Sequence, residues 1–289
     1  MKKILKWFLV GLGTMLGLVL LSLAGSHLYM GYRFGKVHDV EGSDIQVPTD
    51  PSAVAAGERL ARLRGCMGGC HGAATEGSVF FALPDGSRVV APDLGRIAAE
   101  YSTADLERVI RHGIRPGGTS VQGIMPSAML AGLGDGDLAS ILAFLRSRPP
   151  GDEDLPDAYA GPLLRAMLLF YMVRYDWGVF AAEEIQHDAP RLDPASADPL
   201  ERGRYLATTI CSECHGGDLQ GMPDGSIPNL AIAAAYSRED FGTLMRTGVP
   251  IGNRDLGLMK EVSLRRFAHF TEPEDDDLHT YLQTLAGTN

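Results

Sequence analysis

Cys211-Ser212-Glu213-Cys214-His215 places two thiols three positions apart, with an imidazole directly after the second thiol. The chain has four cysteines, and the other two lie in a similar group, Gly65-Cys66-Met67-Gly68-Gly69-Cys70-His71, with one more residue between the thiols. A disulfide within either pair would close too short a loop to stabilise a fold appreciably. The spacing therefore indicates two cofactor sites.

The group at Cys211 and Cys214 has the spacing of a covalently attached haem c, in which two thiols add to the haem vinyl groups and the histidine, His215, binds the iron. One alternative is a zinc half-site, which would need a second ligand pair that the group does not supply. The other is a thiol-disulfide pair with an accidental histidine. We expect a haem at this group.

The group at Cys66 and Cys70 departs from the usual spacing by one residue. Its two glycines allow backbone conformations that would return both sulfurs to the vinyl positions. The alternative is a reduced or disulfide-bonded pair without haem. We expect a second haem c here, with His71 on the iron.

The sequence around each group repeats, and residues 51–149 match residues 199–287 in a series of local signals. Each block opens with a helical stretch that runs into its cysteine group, and each closes with an amphipathic helix. In between, each has a serine N-cap and a helix-ending glycine. Neither block shows a convincing alternation of strand residues, so the chain is predicted to be all-α with two tandem domains. The matched caps are Ser102 with Ser237 and Gly113 with Gly248, and a capping box is predicted at Thr271 and Glu274.

A methionine stands in the same place in both blocks, in the loop before the last helix. Met125 and Met259 are therefore our candidates for the sixth iron ligand, since a neutral thioether favours ferrous iron. A methionine is more often core filling than ligand. The competing residues are Met129 in the first block and Met222 or Met245 in the second.

The N-terminus reads as a membrane segment, because residues 7–32 carry no Asp, Glu, Lys or Arg and are long enough as a helix to cross a bilayer. The lysines before it predict a cytoplasmic N-terminus, so the remainder of the chain is exported. We interpret residues 1–32 as an uncleaved, single-pass anchor in the inner membrane with the blocks in the periplasm. The alternative is a signal peptide cleaved after Ala24.

Residues 150–198 join the blocks and contain an apolar stretch from Leu163 to Ala182. Charged residues within it, such as Arg165 and Arg174, argue against a second membrane helix. We expect a bridge packed against both domains, or else a helix lying on the membrane surface. The formal charge of −10 and the lack of basic runs beyond the N-terminus exclude nucleic acid as a partner.

These motifs together resemble the class I cytochrome c fold, and more narrowly the membrane-anchored dihaem c-type cytochromes of bacterial respiratory chains. The resemblance implies that the carbonyls of Pro92 and Pro228 accept from the axial histidines. It also implies that Arg111 and Arg246 pair with haem propionates, whereas a solvated helix end is the plain alternative.

With histidine and methionine on both irons, no position stays open for a substrate. The chain is therefore expected to be an electron carrier and not an enzyme. Its partners would be redox proteins: a membrane dehydrogenase of which it is the cytochrome subunit, a terminal oxidase or reductase, or a soluble cytochrome. A dihaem peroxidase-like enzyme, with one open iron, is the alternative of a different class.

Overall fold

The computed structural model describes residues 2–121, 124–152, 154–175 and 182–287. It is mostly helical in these ranges. Before the first cysteine group come α1 (Lys2–Gly35) and α2 (Pro51–Leu63). Between the two groups lie α3 (Leu94–Glu100), α4 (Thr103–His112), α5 (Ser127–Leu130), α6 (Asp135–Ser147), α7 (Pro162–Tyr175) and α8 (Pro199–Leu206). The remaining helices are α9 (Ser212–His215), α10 (Arg238–Thr247), α11 (Leu258–Arg265) and α12 (Glu272–Thr284).

The helix ends follow the capping residues in the sequence. The Ser102 hydroxyl accepts from the amide of Asp105 at the start of α4, and Ser237 does the same at the start of α10. Gly113 and Gly248 end those helices in the left-handed conformation that glycine adopts without strain. The predicted capping box at Thr271 is present at the start of α12. These local predictions are confirmed.

The first and last helices of each block cross at a glycine. In the first block, α2 crosses α6 at Gly57, where a Cβ atom would overlap the Ser140 carbonyl. In the second, α8 crosses α12 at Gly203, where a Cβ atom would overlap the Asp277 carbonyl. The two blocks thus use the same close helix packing, which only a residue without a side chain permits.

A two-stranded hairpin in the first block corrects the prediction of helix and loop alone. Strands β1 (Ser78–Ala82) and β2 (Arg88–Ala91) pair antiparallel. The register shifts between Val79 and Phe81, as at a β-bulge. A bulge breaks the two-residue alternation on which a strand prediction depends, so these short strands left no clear pattern in the sequence.

The two blocks share one hydrophobic core. The buried cluster runs from Leu142 of α6 in the first block to Tyr205 of α8 and Leu278 of α12 in the second. A polar contact of Arg64, the residue directly after α2, also crosses between the blocks: its guanidinium donates to the Tyr205 hydroxyl at 2.8 Å, and to the Asp137 carboxylate of its own block at 2.9 Å. The blocks are therefore packed directly against each other.

Helix α1 is long and apolar enough, by length and composition, to span a membrane. Its C-terminal end packs against α7, where Met30 and Phe34 meet Leu164 and Leu168 in a second buried cluster. Arg165 of α7 donates to the His27 carbonyl at 2.7 Å. The first part of the apolar stretch in the bridge thus covers the C-terminal end of α1, and residues 176–181 of that stretch lie outside the described ranges.

Candidate functional site

The second cysteine group lies on a helical segment that continues from α8. A π-helical turn, Ala207–Cys211, leads from α8 into α9, which holds Cys214 and His215. Tyr205 and Ile210 point into the core, at 1% and 2% exposure. The cysteines and the histidine are half-buried, and Cys211 packs against the core.

The imidazole of His215 is oriented by a backbone carbonyl. Its Nδ1 lies 2.8 Å from the oxygen of Pro228. A carbonyl can only accept, so Nδ1 carries the proton and Nε2 keeps its lone pair for a metal. Burial lowers the pKa of His215, although the contact with Pro228 opposes this, and the neutral form is the one that binds iron.

The first cysteine group lies in a series of turns after α2. Gly65 and Gly68 have φ angles of 75° and 73°, which other residues rarely adopt. The amides of Cys66 and Met67 both donate to the Ala61 carbonyl, and the Met67 side chain enters the core at 6% exposure. Of the two glycines between the thiols, Gly68 takes the left-handed conformation and Gly69 does not.

The first histidine has the same surroundings as the second. His71 Nδ1 lies 2.8 Å from the Pro92 oxygen, and burial lowers its pKa. Its own carbonyl accepts from Gly77 at 2.9 Å, as the His215 carbonyl accepts from Gly221 at 2.8 Å. The hairpin occupies the longer chain between Gly77 and Pro92, so it is inserted without altering the histidine site.

A left-handed residue four positions after each histidine was not foreseen from the sequence. Thr75 and Leu219 have φ angles of 72° and 62° and are each 2% exposed. Each carbonyl accepts from the first residue of the next helical segment, Leu94 or Leu230, at 2.9 Å. A non-glycine residue in this conformation has no sequence signal, and only the repetition of the spacing could have indicated it.

All four cysteines are free thiols. Burial raises the pKa of Cys66, and it raises the pKa of Cys211 to about 12. Burial likewise raises the pKa of Cys70 and Cys214. Two uncharged thiols and a neutral imidazole therefore stand together at each group: the thiols suit addition to the haem vinyl groups, and the imidazole suits binding of the iron.

The candidate methionines lie in different local structures. Met125 lies in the bend before α5, as predicted, whereas Met259 is the second residue of α11 and not part of a loop. Both side chains are half-buried. The competing Met129 and Met245 are core residues, at 8% and 4% exposure, and Met222 is half-buried in a turn.

The two arginines also differ. Arg111 is fully buried, so the solvated helix end is wrong for this residue; its guanidinium binds Glu107 at 3.1 Å and Asp135 at 2.6 Å. Arg246 is 46% exposed and pairs with Asp275 at 2.8 Å. Propionate pairing by either residue stays a prediction, and protein carboxylates already bind both.

An arginine directly after α11 connects the two cysteine groups. Arg266 donates to the carboxylate of Glu213, inside the second group, at 2.6 Å. It also donates to the Leu63 carbonyl at the end of α2, at 3.1 Å. A contact between residues so far apart in the chain has no local signal, and the sequence did not indicate it.

Comparison with known proteins places one of the two groups in a family. Residues 54–149 match the family described as cytochrome c. This range holds the group with the longer thiol spacing, so that spacing is compatible with the family. The first block thus matches the cytochrome c family, and the relatives named as cytochrome c subunits of dehydrogenases agree with the prediction of an electron carrier.

Relatives extend the similarity across most of the chain. The cytochrome c subunit of the quinone alcohol dehydrogenase of Gluconobacter oxydans is 25% identical over 274 residues, which is 91% of this chain and 52% of that subunit. The gluconate 2-dehydrogenase cytochrome c subunit of Pantoea cypripedii is 31% identical over 75% of this chain and 51% of its own length. A dihaem c-type cytochrome of Cereibacter sphaeroides is 28% identical over 70% of this chain and 78% of its own. The chain spans about half the length of the dehydrogenase subunits that it matches.

Proposed function

We propose that this chain is a membrane-anchored dihaem cytochrome c, with tandem haem domains at residues 51–149 and 199–287. The observation that carries the proposal is the matched pair of imidazoles. In both blocks the histidine after the second cysteine has its Nδ1 on a proline carbonyl, at 2.8 Å, and keeps Nε2 for a metal. The similarity to dehydrogenase subunits over 91% of the chain supports the inclusion of the second block.

Each group of residues has a defined task in this proposal. The thiols of Cys66, Cys70, Cys211 and Cys214 anchor the haems, and the Nε2 atoms of His71 and His215 bind the irons. Pro92 and Pro228 hold the imidazoles in the required tautomer. Met125 and Met259 would each supply a thioether as a further ligand to an iron. A haem held in this way changes between ferric and ferrous iron without binding substrate.

The partner that we propose is a membrane dehydrogenase, with this chain as its cytochrome subunit. Two relatives are named as cytochrome c subunits of alcohol and gluconate dehydrogenases. Helix α1 would hold the chain in the inner membrane, with both haem domains in the periplasm. The net charge of −10 favours a basic docking surface on any soluble electron acceptor.

The haem count tests the proposal. The full chain, produced with periplasmic c-type haem maturation, should retain two haems per chain after denaturation. Replacing Cys211 and Cys214 with Ala should leave one haem, and replacing Cys66 and Cys70 with Ala should leave the other. A count of one in the unmodified protein, unchanged when Cys66 and Cys70 are replaced, would contradict the dihaem assignment.

A further inference from the structure

Arg266 lies at the junction of the two cysteine groups. Its Nη1 atom donates to Glu213, which stands between Cys211 and Cys214. On the other side, a Cβ atom at Gly65 would lie 3.1 Å from the guanidinium carbon of Arg266. Gly65 directly precedes Cys66. The same guanidinium is thus in contact with both attachment groups.

The contact of Arg266 with the first block is favourable for a cation. Its Nε donates to the carbonyl of Leu63, the last residue of α2. Carbonyls at the end of a helix carry partial negative charge and lack partners within the helix. A residue of the second block therefore completes the end of the helix that leads into the first cysteine group.

The two hydrogen bonds of this side chain fit an arginine better than a lysine. The side chain is only 12% exposed, and it donates from two different nitrogens to two acceptors that belong to different blocks. A planar guanidinium can do this in one fixed orientation, whereas a lysine ammonium offers a single point of charge. The remaining nitrogen, Nη2, is buried without a hydrogen-bond partner in the described part of the chain.

We infer that Arg266 is a positioning residue for electron transfer: it fixes the two attachment groups against each other and gives both haem sites a shared positive charge. The inference rests on the proposed function. A positive charge near an iron disfavours its ferric state, so the midpoint potential rises. Glu213 offsets part of this charge on the side of the second group.

Arg266→Gln tests the charge. The midpoint potentials of both haems should fall, because both sites lose the same nearby positive charge. The matched control is Arg265→Gln, which removes the same charge one residue earlier. Arg265 is 67% exposed, and within the described ranges its ion pair is with Glu261 of its own helix, at 3.5 Å. Its replacement should leave both potentials unchanged.

Two further variants separate the effect of the positive charge of Arg266 from the effect of its hydrogen bonds. Arg266→Lys keeps the charge and loses one of the two hydrogen bonds, so the potentials should stay near those of the unmodified protein. The coupled Soret circular dichroism of the two haems should change, because it reports their relative orientation. Glu213→Gln should raise the potential of the second haem, and in the Arg266→Gln background it should restore much of the loss there.

The experiments distinguish a failure of the proposed function from a failure of the role given to Arg266. Fewer than two haems in the unmodified protein would contradict the proposed function itself. Two haems whose potentials shift no more in Arg266→Gln than in Arg265→Gln would overturn only the role of Arg266. If Arg266→Gln does not fold, Glu213→Gln decides the question, since an unchanged potential of the second haem in that variant would also overturn it.

Discussion

The side chain of Met259 is half-buried at the second residue of α11, against the shared core. If its sulfur binds the second iron, Met259→Ala should abolish the weak far-red band of that ferric haem and open the iron to carbon monoxide. Met222→Ala serves as the control, since Met222 is half-buried in a turn. If the second haem keeps its far-red band in Met259→Ala and loses it in Met222→Ala, the assignment of Met259 as the ligand is wrong.

Glu107 is a buried carboxylate with several cationic neighbours. Arg111 donates to it at 3.1 Å and Arg191 at 3.2 Å. Burial alone would raise the pKa of Glu107, but its contacts with His112, at 3.7 Å, and with Arg111 outweigh this effect and lower the pKa from 4.5 to about 2. The carboxylate therefore stabilises the fold above pH 4.5, and this contribution is lost as the pH falls towards 2.

Glu107→Gln should lower the free energy of unfolding at pH 7 by on the order of 3 kcal/mol, the value that corresponds to this shift in pKa. The difference in Tm from the unmodified protein should shrink steadily between about pH 5 and pH 2, as followed by thermal unfolding at several pH values. Glu100→Gln, at an exposed position in the same block, should track the unmodified protein throughout. A Tm difference that is constant with pH would contradict the role of the carboxylate.

At the scale of the elements, the helix crossings at Gly57 and Gly203 hold each block together. Gly203→Ala should destabilise the protein by about 1–3 kcal/mol, because the added Cβ overlaps the Asp277 carbonyl and lies 2.6 Å from the Tyr281 Cβ. The control is Gly136→Ala in α6, where nothing lies within 4 Å, and where alanine should stabilise by up to about 1 kcal/mol. Chemical denaturation measures both changes, and equal effects of the two substitutions would refute the steric reason.

The elements that the sequence predicted are those whose signals are local. A serine at Ser102 or Ser237 binds an amide three residues later, and the contacting pair is visible in a short window of sequence. The hairpin at residues 78–91 was missed because its bulge breaks the alternation. The placement of Met259 on a helix was missed as well, since α11 is only 8 residues long and has no side-chain cap at its start.

Contacts across long separations were not accessible from the sequence in the same way. The proline carbonyls at both histidines came from resemblance to a family, and each closes a loop of 13 or 21 residues. Arg266 and Leu63 are 203 residues apart. Their meeting depends on how the two blocks dock, and no pattern in a single sequence reports that docking.

At the scale of the whole molecule, the arrangement of α1 before the two blocks predicts where the protein lies in the cell. After fractionation the full chain should stay in the membrane pellet, and protease added from the periplasmic side should degrade the haem-bearing blocks while sparing α1. Replacing Leu16 and Leu20 of α1 with Arg should abolish this retention, because charges at the centre of a membrane helix are costly. A soluble periplasmic product that begins near Gly25 would show instead that the segment is a cleaved signal.

The buried cluster that extends through both blocks also bears on the kinetics of the molecule. Had the blocks been joined only by residues 150–198, each would diffuse on its tether, and transfer between them would wait for a productive encounter. Because Leu142 and Leu278 belong to the same core, and Arg64 reaches Tyr205 across the boundary, the separation of the two attachment groups is constant. In the proposed dihaem protein, internal electron transfer should then follow a single exponential that does not depend on solvent viscosity, and only the encounters with outside donors and acceptors would remain limited by diffusion.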